Sequence, residues 1–173
     1  MDLIALLKTI ALCLISIVIE AVSATKEGRE WFESLKRPKY SFSLKVWYVV
    51  GAAYYLVFGI VAYRLFTKNF SFLSTPILLL VLVMLVNGLS NFLVFQYKSV
   101  KWFYFIIYPF GVLLLALIVV VHPIDAFAAF LASLYFLWLI YDVYYGYHMW
   151  KLNGPSPTLP GGKGHQSHNG QLK

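Results

Sequence analysis

Five stretches of this chain are too long and too apolar for a small aqueous core to absorb. Residues 3–22 carry only Lys8 and Glu20 as charges, the windows 46–63, 76–95 and 102–121 carry none, and 124–150 carries Asp125 and Asp142. A hydrocarbon layer about 30 Å thick is crossed by roughly 20 helical residues, so each window is long enough to span it. Composition agrees: 61% of residues are hydrophobic and 12% charged, where soluble domains carry about 25% charged residues. Runs such as "ILLLVLVMLV" are continuously apolar and lack the alternation of membrane strands, which leaves helices as the way to satisfy backbone groups in lipid. The sequence therefore predicts an all-α membrane protein, a five-transmembrane-helix bundle over residues 1–153. Its helices are expected at about 3–24, 45–66, 76–97, 101–121 and 124–150. Residues 25–44 form the one sizeable loop, and 154–173, rich in Gly, Pro, Ser and polar residues, form a tail expected to be disordered.

The first span ends in a small-x-small pattern at Val22 and Ala24 that a signal peptidase accepts. Asp2 in place of a basic leader, Lys8 within the apolar run and Glu20 just before the site argue that the span is retained. Orientation follows from the basic residues. Eleven of them (Lys26, Arg29, Lys36, Arg37, Lys39, Lys45, Lys98, Lys101, Lys151, Lys163 and Lys173) fall on the side of the long loop and the C-terminus, against Lys8, Arg64 and Lys68 on the other. By the positive-inside rule the C-terminus and loop 25–44 are expected in the cytosol and the N-terminus on the external or lumenal side. The net charge of +7 is thus an orientation signal. Because the basic residues flank helices in small groups, no nucleic-acid partner is expected.

Cys13 is the only cysteine and reads as a small apolar side chain, and the four histidines, two of them in the tail, form no metal-binding pattern. No motif calls for a cofactor, and no Gly-rich phosphate loop, HExxH or GxSxG occurs.

The fifth span is different. In "LASLYFLWLIYDVYYGYHMWKLN" the residues Tyr135, Trp138, Tyr141, Asp142, Tyr145 and His148 recur at spacings of three and four and share a face. Aromatic belting at the membrane boundary accounts for Tyr144, Tyr147 and Trp150, but Trp138 and Tyr141 lie more than two turns deeper. A carboxylate at a helix centre costs about 2.5–3.5 kcal/mol on insertion scales, so Asp142 and its face are expected to look into the bundle. On residue chemistry alone, pocket lining and ordinary interhelical packing explain that face equally well. On the third span Asn87, Ser90 and Asn91 form a second polar face, more donors than one helix contact needs. On the second span Gly51, Tyr55, Gly59 and Ala62 make a stripe of mostly small residues expected to admit a neighbouring helix.

Four stretches in order carry a resemblance to the tryptophan-rich sensory protein or translocator protein family (TspO/MBR, the peripheral-type benzodiazepine receptors). They are "WFESLKRPKY" at 31–40, "GAAYYLVFGIVAY" with Tyr55 and Gly59, Asn87 with Phe95 eight residues on, and "YFLWLIYDVYYGYHMWKLN" with Tyr135, Trp138, Tyr141, Trp150, Leu152 and Asn153 in register. The likeness runs from Trp31 to Asn153, and the first span matches by position. Several family positions differ: Phe42 and Ser43 stand for prolines, Lys45, Gly51 and Ser90 for tryptophans and Gly146 for an asparagine. Of the inner tryptophans Trp138 remains, with Trp47 one turn from Gly51.

The resemblance implies a bundle that is commonly a homodimer in the lipid bilayer, with a pocket opening toward the first loop, which serves as its lid. It implies a receptor or sensor for tetrapyrroles (porphyrin, haem) or for other hydrophobic ligands such as sterols, regulating or assisting their transport or metabolism; a tetrapyrrole would be a ligand, with no cofactor required. The ligand-binding residues so implied are Trp138, Tyr135, Asn87, Tyr55, Tyr141 and Asp142, together with Trp47, Tyr40 and Trp31. Lys36, Arg37 and Lys39 are placed to meet propionates at the mouth. Val143, Tyr147 and Lys151 satisfy a loose sterol pattern that aromatic helix ends match often. Two alternatives stand beside this reading: a tetrapyrrole-degrading membrane enzyme, disfavoured because that chemistry leans on two pocket tryptophans, and an assembly protein whose aromatic face only packs.

Overall fold

The computed structural model describes residues 2–23 and 25–154, and all regular structure among them is helical. Five helices are long and apolar enough to cross a membrane: α1 (Leu3–Ser23), α3 (Leu44–Thr67), α4 (Thr75–Gln96), α5 (Val100–Val121) and α6 (Ala126–Asn153). The sixth, α2 (Lys26–Ser34), lies within the long loop, where the sequence alone predicts no regular structure. The tail from 155 onward and Ala24 of the small-x-small site lie outside the described residues.

Local chemistry sets the helix ends. The Thr25 hydroxyl accepts from the Gly28 N–H at 3.1 Å and opens α2, supplying a partner to one of the donors that a helix start leaves free. Asp125 does the same for α6, its Oδ1 accepting from the Ala128 N–H at 3.0 Å. This moves the start of the last span past the expected 124, and the helix runs on to Asn153, where Gly154 ends it at φ +67°.

The long helices close into a ring in the order α1, α4, α5, α6, α3 and back to α1, with α3 also touching α4 and α2 resting on α4. At the end away from the loop the ring is filled. Leu65, Ile77, Leu80, Leu117, Val121 and Ala128 have no exposure at all. Glycines bring two helix pairs close enough that a Cβ would collide: at Gly88 it would sit 2.9 Å from Ile19 Cγ2, and at Gly146 2.9 Å from Phe103 Cδ1. Gly146 thus gives up the family's asparagine for an aromatic contact with α5. Of the expected small-residue stripe on α3, Gly59 faces α1, its Cβ position 3.7 Å from Cys13 Sγ, whereas Gly51 meets nothing within 4 Å and opens onto empty space. Outward side chains such as Leu7, Leu14, Val112, Leu137 and Ile140 are apolar and exposed, the surface that acyl chains cover in a bilayer.

Candidate functional site

Toward the loop end the ring does not fill. A cavity of about 570 Å³ remains between α1, α3, α4, α5 and α6, with α2 at its mouth. It lies within the range of roughly 300–1,000 Å³ common for small-ligand sites. Six of the nine residues singled out from sequence line it: Trp47, Tyr55, Asn87, Tyr135, Trp138 and Asp142. The helical spacing on α6 produces this wall, because Tyr135, Trp138, Asp142 and Tyr145 follow at intervals of three and four. Trp47 meets Trp138 edge-on, with ring centroids 5.7 Å apart, so α3 brings a second indole to the site from one turn beyond Gly51. Tyr135 packs edge-on against Tyr54 at 5.1 Å and Phe58 at 5.5 Å.

The opposite wall is polar. Asn87, Ser90 and Asn91 all line the cavity, joined by Glu20 of α1, which in the sequence reads only as an obstacle to signal cleavage. The Asn87 Nδ2 donates to Glu20 Oε1, and Tyr55 and Asn91 stand beside the same carboxyl. Ser90 spends its hydroxyl on the Asn87 carbonyl at 2.6 Å. Asp142 is buried as expected, at 9% exposure, and its Oδ1 has no hydrogen-bond partner; the Trp138 indole faces that carboxyl from one turn earlier without closing a full hydrogen bond.

The other three candidates belong to the loop segment at the cavity mouth or hold it in place. Tyr141 does not line the cavity; its hydroxyl accepts from the Phe42 N–H at 3.2 Å and donates to the Tyr40 carbonyl at 3.1 Å. Tyr40 itself is exposed, and only its backbone takes part. Phe42, standing for a family proline, stacks on Trp138 at 5.7 Å and 23° between planes. Trp31 is buried with Leu35 against Val94, Val100, Tyr145 and Met149, anchoring α2. At the other end of the segment, Asn153 accepts from the Lys36 N–H at 2.9 Å and donates to its carbonyl at 3.0 Å. Lys36, Arg37 and Lys39 are exposed and outside the cavity lining; the base that does line it is Arg29, together with Phe32 and Glu33 of α2. None of Val143, Tyr147 and Lys151 borders the cavity.

A cavity with aromatic walls, a few convergent polar groups and a loop segment across its mouth, set in five apolar helices, gives a multi-pass membrane protein with an internal void of the size small ligands occupy. The family model for the TspO/MBR family matches residues 9–151. The chain belongs to the TspO/MBR family. No curated protein matches the chain.

Proposed function

We propose that the protein is a membrane receptor or sensor that takes a flat hydrophobic ligand, a tetrapyrrole such as porphyrin or haem or else a sterol, into the bundle, and so regulates or assists its transport or metabolism. The observation that carries this reading is the unfilled cavity, walled by Trp47, Tyr135 and Trp138 and faced by Asn87 and Glu20. Offset stacking on such rings contributes about 0.5–1.5 kcal/mol per pair beyond the area buried. Arg29 stands at the mouth, where a propionate would remain close to water. In this reading the lid end faces the cytosol, following the basic residues, and two copies associate in the bilayer.

Titration of the purified protein with protoporphyrin, haem and cholesterol, read by tryptophan quenching, tests the proposal. Trp138→Ala should weaken tetrapyrrole binding about 5- to 150-fold, the equivalent of roughly 1–3 kcal/mol of lost stacking and contact area. Tyr144→Ala, outside the cavity lining, should change it little. Unaltered affinity in a folded Trp138→Ala variant would reduce the aromatic face to packing. A reporter joined after Lys173 should be cytosolic and one before Met1 should not.

A further inference from the structure

Among the described residues, six buried side-chain polar atoms lack a hydrogen-bond partner, and five of them border the cavity: Trp47 Nε1, Tyr54 OH, Tyr55 OH, Trp138 Nε1 and Asp142 Oδ1. Buried polar groups are normally paired; Tyr55 stands beside the Glu20 carboxyl and the Trp138 indole faces Asp142, so the polar groups of the void gather around these two carboxyls. The charges there are one-sided. Glu20 and Asp142 project into the cavity from α1 and α6, two helices that do not touch each other among the described residues. The sole base in the lining, Arg29, sits on α2 at the mouth with Glu33 one turn further along the same helix. The interior is thus acidic in a chain whose net charge is +7.

We infer that the cavity prefers, among hydrophobic aromatic ligands, those that carry a protonated amine, with the amine set between Glu20, Asp142 and the indole walls. This rests on the reading above that the bundle holds a hydrophobic ligand, and departs from its tetrapyrrole and sterol examples, which carry no such amine. Asn87 gives Glu20 a hydrogen bond but no countercharge. Asp142, nine-tenths buried, lines the cavity, and its Oδ1 has no hydrogen-bond partner. An ammonium supplies both N–H donors and the missing positive charge, converting a costly unpaired carboxylate into a paired one. The faces of Trp47, Trp138 and Tyr135 attract the same cation through their ring quadrupoles. A carboxylate ligand at this depth would find no cation in the lining other than Arg29 at the mouth.

The test compares three probes with one aromatic body, 1-pyrenemethylammonium, 1-pyrenemethanol and 1-pyrenecarboxylate, titrated into the protein in zwitterionic nanodiscs and read by energy transfer from tryptophan to pyrene. Empty nanodiscs provide the correction for partition into lipid. The ammonium should bind at least about tenfold more tightly than the alcohol, and the carboxylate more weakly than either. Asp142→Asn and, separately, Glu20→Gln should each reduce the ammonium-to-alcohol affinity ratio about threefold or more, so one well-folded variant suffices. Equal affinity for ammonium and alcohol, or tighter binding of the carboxylate, would overturn the preference while leaving a ligand site in place. Failure of all three probes to bind would overturn the site itself, and the preference with it.

Discussion

Asp125, which caps α6, and Asp142 within it stand about 25 Å apart along the helix axis, and the protein treats them in opposite ways. Asp125, at the far end, has every need met. One oxygen caps the helix, and the other accepts from Arg64 Nε at 2.9 Å with Lys68 Nζ at 3.8 Å. Asp142, toward the lid, is buried beside a cavity with an unpartnered oxygen. The surrounding packing divides the same way, filled around the first and open around the second. The first is satisfied within the chain; the second is left unsatisfied at a cost in stability, and the ligand reading proposed above gives it a partner from outside.

The largest test of this division lies on α5. Leu117 has no exposure in the filled half, whereas Ile106 is half-buried and borders the cavity. Leu117→Ala should lower unfolding stability in detergent by about 2–5 kcal/mol, because close-packed neighbours cannot collapse into the hole. Ile106→Ala only enlarges an existing void and should cost under about 1.5 kcal/mol. Similar losses from the two would mean that the halves are packed alike.

Next come the aspartates themselves. Asp125→Ala removes a helix cap and strands Arg64, and should cost about 1–3 kcal/mol. Asp142→Leu should leave the melting temperature of the ligand-free protein unchanged or raise it, while weakening ligand binding. Burial alone would raise the Asp125 carboxyl, but the Ala128 N–H and then Arg64 and Lys68 outweigh it and hold the group below its ordinary value of 3.8. A depressed folded value means that the stabilisation is fully present above the unfolded value and is lost as pH falls through the folded one. Thermal melts between pH 7 and pH 3 should therefore show a decline at the acid end that Asp125→Asn diminishes. Identical acid profiles for the two proteins would remove Asp125 from that role.

The five spans were readable because lipid imposes one requirement on every residue of a window, and about twenty residues with at most two charges meet it whatever their neighbours do. Helix α2 was not readable for the opposite reason. "KEGREWFES" is short and charged, and it holds its shape through Trp31 buried against residues from three other helices, a contact with no local trace. Trp138, Tyr135 and Asp142 could be read from spacing on one helix; that Tyr141, on much the same face, turns to the lid depends on where loop residues 40–42 pass. Glu20 was missed although its signal was present, since an ionisable residue within an apolar span is by default a functional one. Asp125 offered a cap signal too, following Pro123 and preceding the apolar run.

The lid gives a smaller effect. Tyr141→Phe deletes a hydroxyl bonded to the backbone at both Tyr40 and Phe42, and should cost about 0.5–1.5 kcal/mol. Hydrogen exchange at the Phe42 amide should speed up about 2- to 10-fold while the amides of the filled end keep their protection. If exchange accelerates at both ends, the lid is not a separable element and the two halves open together.

The smallest expected effect is at Gly51, and it is informative for that reason. The other close-set glycines of the bundle are held by contacts, as at Gly146 against Phe103, but a methyl group at Gly51 would meet nothing within 4 Å. Removing a glycine from a helix interior contributes roughly 0.5–1 kcal/mol, because less backbone freedom is lost on folding. If the space beside Gly51 is open as the cavity wall requires, Gly51→Ala should therefore keep or slightly raise the melting temperature, by no more than about that amount. Ligand affinity should change only a few-fold, since one methyl group takes up little of about 570 Å³. A clear loss of stability would place a neighbouring side chain against this stretch of α3. The cavity would then close at the position where the family carries a tryptophan, and the contrast between a filled and an open half would fail at its most permissive point.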